Sequence, residues 1–228
     1  MDGLAGKQAQ DSSKDTFAYL IKWLNDHFRV DTFVSRVYDD SEPFGNKEKA
    51  LKRCINDSFL DAARRAQKCV ILTYSIGGVL GATYFRTLKS FGLPFDKIYF
   101  IAIDSPFGGV AENAIDALQT SGLLNAAVAD HLCRFLTMNA CRQALRPLAS
   151  SWPSRQSRFL PGCCFMWVRS VGKGGGLCLP SPLLQPHEYV ATFEDQGIAE
   201  AHASVLEHHN VLKALIASLS LLKVERMP

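Results

Sequence analysis

Apolar and polar residues follow two rhythms along this chain, and the switches between them mark out its elements. Residues 70–82, V-I-L-T-Y-S-I-G-G-V-L-G-A, begin as a β-branched apolar run and continue through small residues into a second apolar stretch. That is the pattern of a buried strand passing directly into a helix, with Ser75 at the turn. Residues 97–103 (K-I-Y-F-I-A-I) and 163–168 (C-C-F-M-W-V) are near-continuous apolar runs, as expected of parallel strands covered on both faces. Residues 189–193 predict a short final strand, and residues 30–37 (V-D-T-F-V-S-R-V) alternate like another. Helical spacing marks residues 16–28, apolar at 17, 20, 21, 24 and 28, with Ser12, Ser13 or Asp15 available as a cap. It recurs over 46–67, 78–91 and 210–222. Strands separated by helices predict an α/β fold, a mostly parallel sheet of about five strands with helices on both faces.

The stretch 112–160 breaks this alternation, carrying helical segments without strand periodicity. It reads as a helical cap-like insertion over a pocket or as plain helical packing on the sheet, and its His131 as an ordinary, partly exposed histidine. The 228 residues, 47% hydrophobic and 21% charged, suit a single domain spanning 1–228. A net charge of +3 with mixed signs, and no basic stripe with interleaved aromatics, argues against nucleic-acid binding. The seven cysteines (54, 69, 133, 141, 163, 164 and 178) are odd in number and lack C-x-x-C spacing. They are expected to be reduced thiols of a cytoplasmic protein rather than disulfides or a zinc site. No secretory signal or apolar run of the ~20 residues needed to span a bilayer is visible.

The chemistry centres on the turn at Ser75. A serine at a sharp strand-to-helix turn is pushed clear of its neighbours. The N–H of Ile76 then points toward the carbonyl that the hydroxyl attacks, and the helix N-terminus favours the charge that develops there. Small residues must flank such a turn; Gly77 and Gly78 meet that need, and Thr73 does not.

Y-S-I-G-G resembles the G-H-S-x-G-G nucleophile elbow of α/β-hydrolase lipases and esterases, in particular a serine esterase, lipase-like family, with Thr73 and Tyr74 in place of Gly and His. D-G-L-A-G at residues 2–6 resembles that family's H-G-L-x-G loop, which implies Leu4 as the second oxyanion-hole N–H. I-D-S-P-F-G-G-V at 103–110 resembles its I-T-L-x-[ST]-P-H-x-G-V segment, with Phe107 for the usual histidine. The resemblance implies that the first strands of the fold are absent from this chain. It also implies a loop histidine followed by S-x-L and a terminal helix. His202, with Ser204, Val205 and Leu206 after it, fits that spacing; His208 and His209 read as a solvated helix start, and His187 as a weaker candidate.

The family's aspartate after the strand at 163–168 has no counterpart, because R-S-V-G-K-G-G-G-L-C-L-P (169–180) carries no acid. Asp104, favoured, or Glu194, Asp195 or Glu200 could replace it, or no acid contacts His202. Two functions follow. One is a serine esterase or lipase-like hydrolase of carboxylic, lipid or hydrophobic acyl esters. It would use Ser75 as nucleophile, His202 as base and Ile76 with Leu4 as oxyanion hole, with no cofactor or metal. Its partner would be the acyl ester itself, reached through peripheral membrane contact where that ester is a lipid; oligomeric state stays open. The other is a catalytically impaired hydrolase-fold binding or scaffold protein.

Overall fold

Four strands form one parallel sheet in the computed structural model, which describes residues 18–29, 69–75, 77–79, 81, 98–121, 164–181 and 188–221. They are β1 (Cys69–Tyr74), β2 (Ile98–Ile103), β3 (Cys164–Val171) and β4 (Glu188–Thr192), neighbours in the order β1-β2-β3-β4. The pairings set Tyr74 opposite Ile103 and Ile103 opposite Val168. Ser75 and Asp104 therefore leave the sheet side by side, at the carboxyl edge where open α/β sheets bind their ligands. The apolar runs expected as strands are strands. β3 continues three residues past 168, carrying Arg169, Ser170 and Val171 to the same edge.

Helices account for the two covered faces. Alternation along β2 sends Ile101 and Ile103 to one side and Phe100 and Ala102 to the other, all of them buried. On the first side Ile101, Ile103, Tyr74, Val168 and Ala191 share one core with helix α1 (Ala18–His27) and with α4 (His209–Leu221). α1 has ten residues, too few to hold as an isolated helix in water. Its stability comes from burying Leu20, Leu24 and the following Phe28, worth roughly 1.5–3 kcal/mol each. On the second side the helical turn that begins at Gly77 comes down over Thr73 and Ser105. Trp167 is buried there with Phe107 edge-on to it at 5.8 Å. Helix α2 (Glu112–Thr120) packs on α3 (Ile198–Ser204), which in turn packs on β3.

One expectation is corrected: His202 lies in helix α3, not in a loop. The predicted strand at 30–37 and helix at 46–67, most of the helix at 78–91, the insertion beyond residue 121, His131 and His187 lie outside the described residues. No helix among the described residues is long and apolar enough to cross a membrane.

Candidate active site

The chain leaves β1 through a backbone conformation that side chains disfavour. Ser75 has φ +53°, in the left-handed region where a residue other than glycine costs about 1–2 kcal/mol. Two hydrogen bonds hold it there: its N–H donates to the Ile103 carbonyl (2.9 Å), and its carbonyl accepts from the Gly78 N–H (3.1 Å). The first continues the parallel ladder and the second starts the helix, so strand and helix together impose the kink. The helix then passes so close that a Cβ at Gly78 would sit 2.0 Å from Ser105 Oγ and 3.2 Å from Thr73 Oγ1. That explains how threonine is accommodated at 73. The room comes from Gly78 on the helix side, and the buried Thr73 hydroxyl is satisfied by the Ile101 carbonyl at 3.3 Å.

The exit of β2 repeats the kink. Asp104 has φ +46°, and its N–H donates to the Val168 carbonyl at 2.6 Å. Its carboxylate is fully buried and accepts from three donors. Oδ1 takes the Ser170 N–H (2.9 Å); Oδ2 takes the Ser170 hydroxyl (2.5 Å) and Nδ1 of His202 (2.6 Å). A buried carboxylate is tolerated when its acceptors are met in this way. The contact also fixes the imidazole. Beside a carboxylate, Nδ1 must carry the proton, which leaves the Nε2 lone pair of a neutral His202 free to accept another.

The loops behind these residues are clamped together. Val110 and Cys178 form an antiparallel bridge, with Leu179 N–H donating to the Gly109 carbonyl (2.9 Å) and Ala111 N–H to that of Leu177 (3.1 Å). The approach is so tight that a Cβ on Gly108 would lie 2.2 Å from the Leu179 carbonyl oxygen. The P-F-G-G-V and L-C-L-P segments are thus partners. Phe107, where the resembled family has histidine, fills the core against Trp167, whose Nε1 donates to the Ser105 carbonyl at 3.0 Å. The acid-free glycine run at 172–176 closes a tight turn, Gly172 and Gly175 exchanging hydrogen bonds of 2.9 and 3.0 Å. A Cβ on Gly172 would lie 2.5 Å from the Gln196 carbonyl oxygen and 3.1 Å from Ala201 Cβ, so glycine lets α3 and its His202 pack against the sheet.

α3 is itself fixed at its start, where the Gly197 N–H donates to Glu200 Oε2 at 2.6 Å. That bond commits Glu200 to the helix end, and Glu194 and Asp195 are exposed. Of the four acids considered from sequence, Asp104, the favoured one, is the one on His202, and the alternative of a histidine without an acid is set aside. His209 is exposed at the start of α4, as expected; His208 is half-buried and tilted on Phe193 at 4.2 Å. Ile76 and Leu4 lie outside the described residues. Two contacts of the pair escape sequence reading: Ser170 on Asp104, and Tyr74, whose ring stacks on that of His202 (centroids 4.8 Å apart). A polar residue at the end of an otherwise apolar strand was the available signal for Ser170; nothing signalled the stack. Among the described residues no group of three or more His, Cys, Asp or Glu side chains could hold a metal ion.

No family model matches the chain, and no curated protein does. Among solved structures it is similar to phospholipase PlaB from Legionella pneumophila in complex with thio-NAD. That match has a TM-score of 0.51 at 16% identity, covering 75% of this chain and 36% of the phospholipase. A second structure of that phospholipase gives 0.49 at 15% identity, covering 75% and 37%. MGS-MChE2, an α/β hydrolase from the metagenome of sediments of the Mar Chica lagoon, Morocco, gives 0.45 at 12%, covering 97% and 90%. This chain spans little more than a third of the phospholipase's length. At such identities the likeness concerns the fold, a mostly parallel sheet flanked by helices on both faces, which is the α/β-hydrolase arrangement.

Proposed function

We propose that the protein is a serine-dependent carboxylic-ester hydrolase. The observation that carries this reading is the buried hydrogen bond from His202 Nδ1 to Asp104 Oδ2. It prepares an imidazole with a free Nε2 at the sheet edge where Ser75 leaves the neighbouring strand. Ser75 Oγ attacks the ester carbonyl while Nε2 takes its proton. Asp104 holds the tautomer and stabilises the imidazolium. As the tetrahedral intermediate collapses, the imidazolium returns the proton to the leaving alkoxide, and an acyl-serine remains. Water, deprotonated by the same nitrogen, then releases the acid and restores Ser75. The N–H groups of Ile76 and Leu4 are the proposed donors to the oxyanion.

The substrate class we favour is a lipid or other hydrophobic acyl ester, a choice supported by the naming of the phospholipase whose fold this chain shares. The competing idea of an impaired binding protein drew on Thr73, on the absent acid after Val168 and on the missing first strands; the contact of Asp104 with His202 speaks against the second of these. Hydrolysis of a short p-nitrophenyl ester tests the proposal. Turnover lost in both Ser75→Ala and His202→Ala supports it, as does fluorophosphonate labelling that disappears with Ser75. A folded wild type that neither labels nor turns over refutes it.

A further inference from the structure

We infer that Tyr74 is a positioning residue for the imidazole of His202, a role that rests on the hydrolase reading above. Two contacts from one side chain reach the same histidine. The Tyr74 ring lies on the His202 ring, centroids 4.8 Å apart and planes 21° from parallel, and its hydroxyl donates to the His202 backbone carbonyl at 2.8 Å. Both residues are buried, and the hydroxyl bond spans 128 positions of sequence.

The geometry divides the work between two residues. Asp104 grips the ring at one edge, at Nδ1, a single point of contact that does not by itself set the tilt of the ring plane. Tyr74 closes the remaining freedom by fixing the plane of the ring and, through the carbonyl, the backbone that carries it. Edge and plane together determine where Nε2 points.

Tyr74 is well placed for this because the backbone is held on both sides of it. It is the last residue of β1, paired with Ile103, and the next residue is held in the left-handed turn. It is also the chain neighbour of Ser75. The side chain that sets the base is thus tied covalently to the residue that would carry the nucleophile, and any shift of the β1 exit moves both together. A stacked phenol serves better than an aliphatic residue, since offset aromatic pairs add about 0.5–1.5 kcal/mol beyond the area they bury and prefer one orientation. Small misplacements of a catalytic group are expensive: about 1 Å can cost 10²-fold in rate.

The test uses the full chain with its histidines ¹³C-labelled at Cε1, the His202 signal being assigned by its loss in His202→Ala. In wild type, the His202 Hε1 proton is expected upfield of its position in the unfolded chain through the Tyr74 ring current. The shift should persist in Tyr74→Phe and vanish in Tyr74→Leu. For p-nitrophenyl ester hydrolysis, Tyr74→Leu should lower kcat roughly 30- to 100-fold with KM within about twofold, while Tyr74→Phe restores kcat to within roughly tenfold of wild type.

A ring-current shift absent from wild type overturns the inference before Tyr74 is changed at all. So does a folded Tyr74→Leu that loses the shift but keeps its kcat, or one whose loss lies in KM. If the wild type shows the shift but hydrolyses no ester, the hydrolase reading fails, and the positioning role, which depends on it, is overturned with it. Activity without the shift is the opposite outcome: the hydrolase reading stands and Tyr74 alone is rejected.

Discussion

Two neighbouring strands end in the same backbone kink, and the molecule uses the two kinks for opposite purposes. Ser75 after β1 and Asp104 after β2 both have positive φ, and in each the N–H donates to the carbonyl of the last residue of the adjoining strand that pairs with its own. Past the kink they diverge. After Ser75 the chain turns at once into a helix whose glycine sits against the strand exit. After Asp104 it enters a loop bridged to the one behind β3, and the carboxylate is fully enclosed by Ser170 and His202. One kink carries a buried serine and the other a buried acceptor. Aspartate tolerates the left-handed region better than most residues, whereas serine there has less intrinsic reason to stay. Strain at adjacent positions on the ligand-binding edge of a sheet suggests function rather than accident.

The largest effects should separate the two positions by chemistry. Ser75→Ala is expected to remove fluorophosphonate labelling entirely and ester turnover to background. Asp104→Asn should keep the fold and the labelled serine but reduce kcat by about 10⁴, because an amide beside Nδ1 no longer enforces the tautomer. Steady-state kinetics with time-resolved labelling distinguishes the two. If Asp104→Asn were as active as wild type, the carboxylate would be structural and the comparison would collapse.

Stability should diverge in the opposite sense. Ser75→Gly relieves the left-handed strain while adding backbone entropy, so it should leave the folding free energy unchanged or raise it by up to about 1 kcal/mol. Asp104→Gly relieves a similar strain but strands the Ser170 N–H, the Ser170 hydroxyl and His202 Nδ1 without an acceptor. At about 2 kcal/mol for each of the three unsatisfied buried groups, less about 1–2 kcal/mol of relieved strain, a net loss of about 4–5 kcal/mol is expected. Urea denaturation of both variants reads the contrast directly. Between these lies Gly78→Ala: its Cβ would stand 2.4 Å from Ser105 Cβ, so backbone or serine must move, for about 1–3 kcal/mol.

Much of this was legible in the chain because buried parallel strands write themselves as unbroken apolar runs. The runs at 97–103 and 163–168 and the strand exit within 70–82 could be read from their apolar pattern alone. Small residues at Gly77 and Gly78 marked the turn at Ser75, and at Gly78 nothing larger fits between helix and strand. Asp104 could be named only as the favoured acid among several. Its selection depends on strand order and register, which bring residues 104, 170 and 202 together from three distant stretches of sequence. The same reason hid the Tyr74 stack. Thr73 misled in the other direction: a glycine was expected on the strand side of the turn, and the space is supplied by Gly78 on the helix side. His202 was expected in a loop because the resembled family has its histidine there, and the seven-residue helix that carries it is too short to show a periodicity of its own.

Ser170 gives the smallest and sharpest test of the comparison. It has no counterpart at the β1 exit, and it shares Oδ2 of Asp104 with His202. Its hydroxyl and its N–H hold the carboxylate from one side, so the oxygen facing His202 is fixed before any substrate arrives. Ser170→Ala keeps the N–H bond and removes the hydroxyl, which should cost about 1 kcal/mol of stability. The kinetic effect should be larger than that of an ordinary core hydroxyl, because the carboxylate gains freedom to rotate away from Nδ1. A fall in kcat of about tenfold with KM unchanged is expected. Restoration by Ser170→Thr, which returns a hydroxyl at the same position, would tie the loss to the hydrogen bond rather than to the space. If Ser170→Ala loses stability but no kcat, the hydroxyl only satisfies a buried charge, and Asp104 is oriented by its kinked backbone alone.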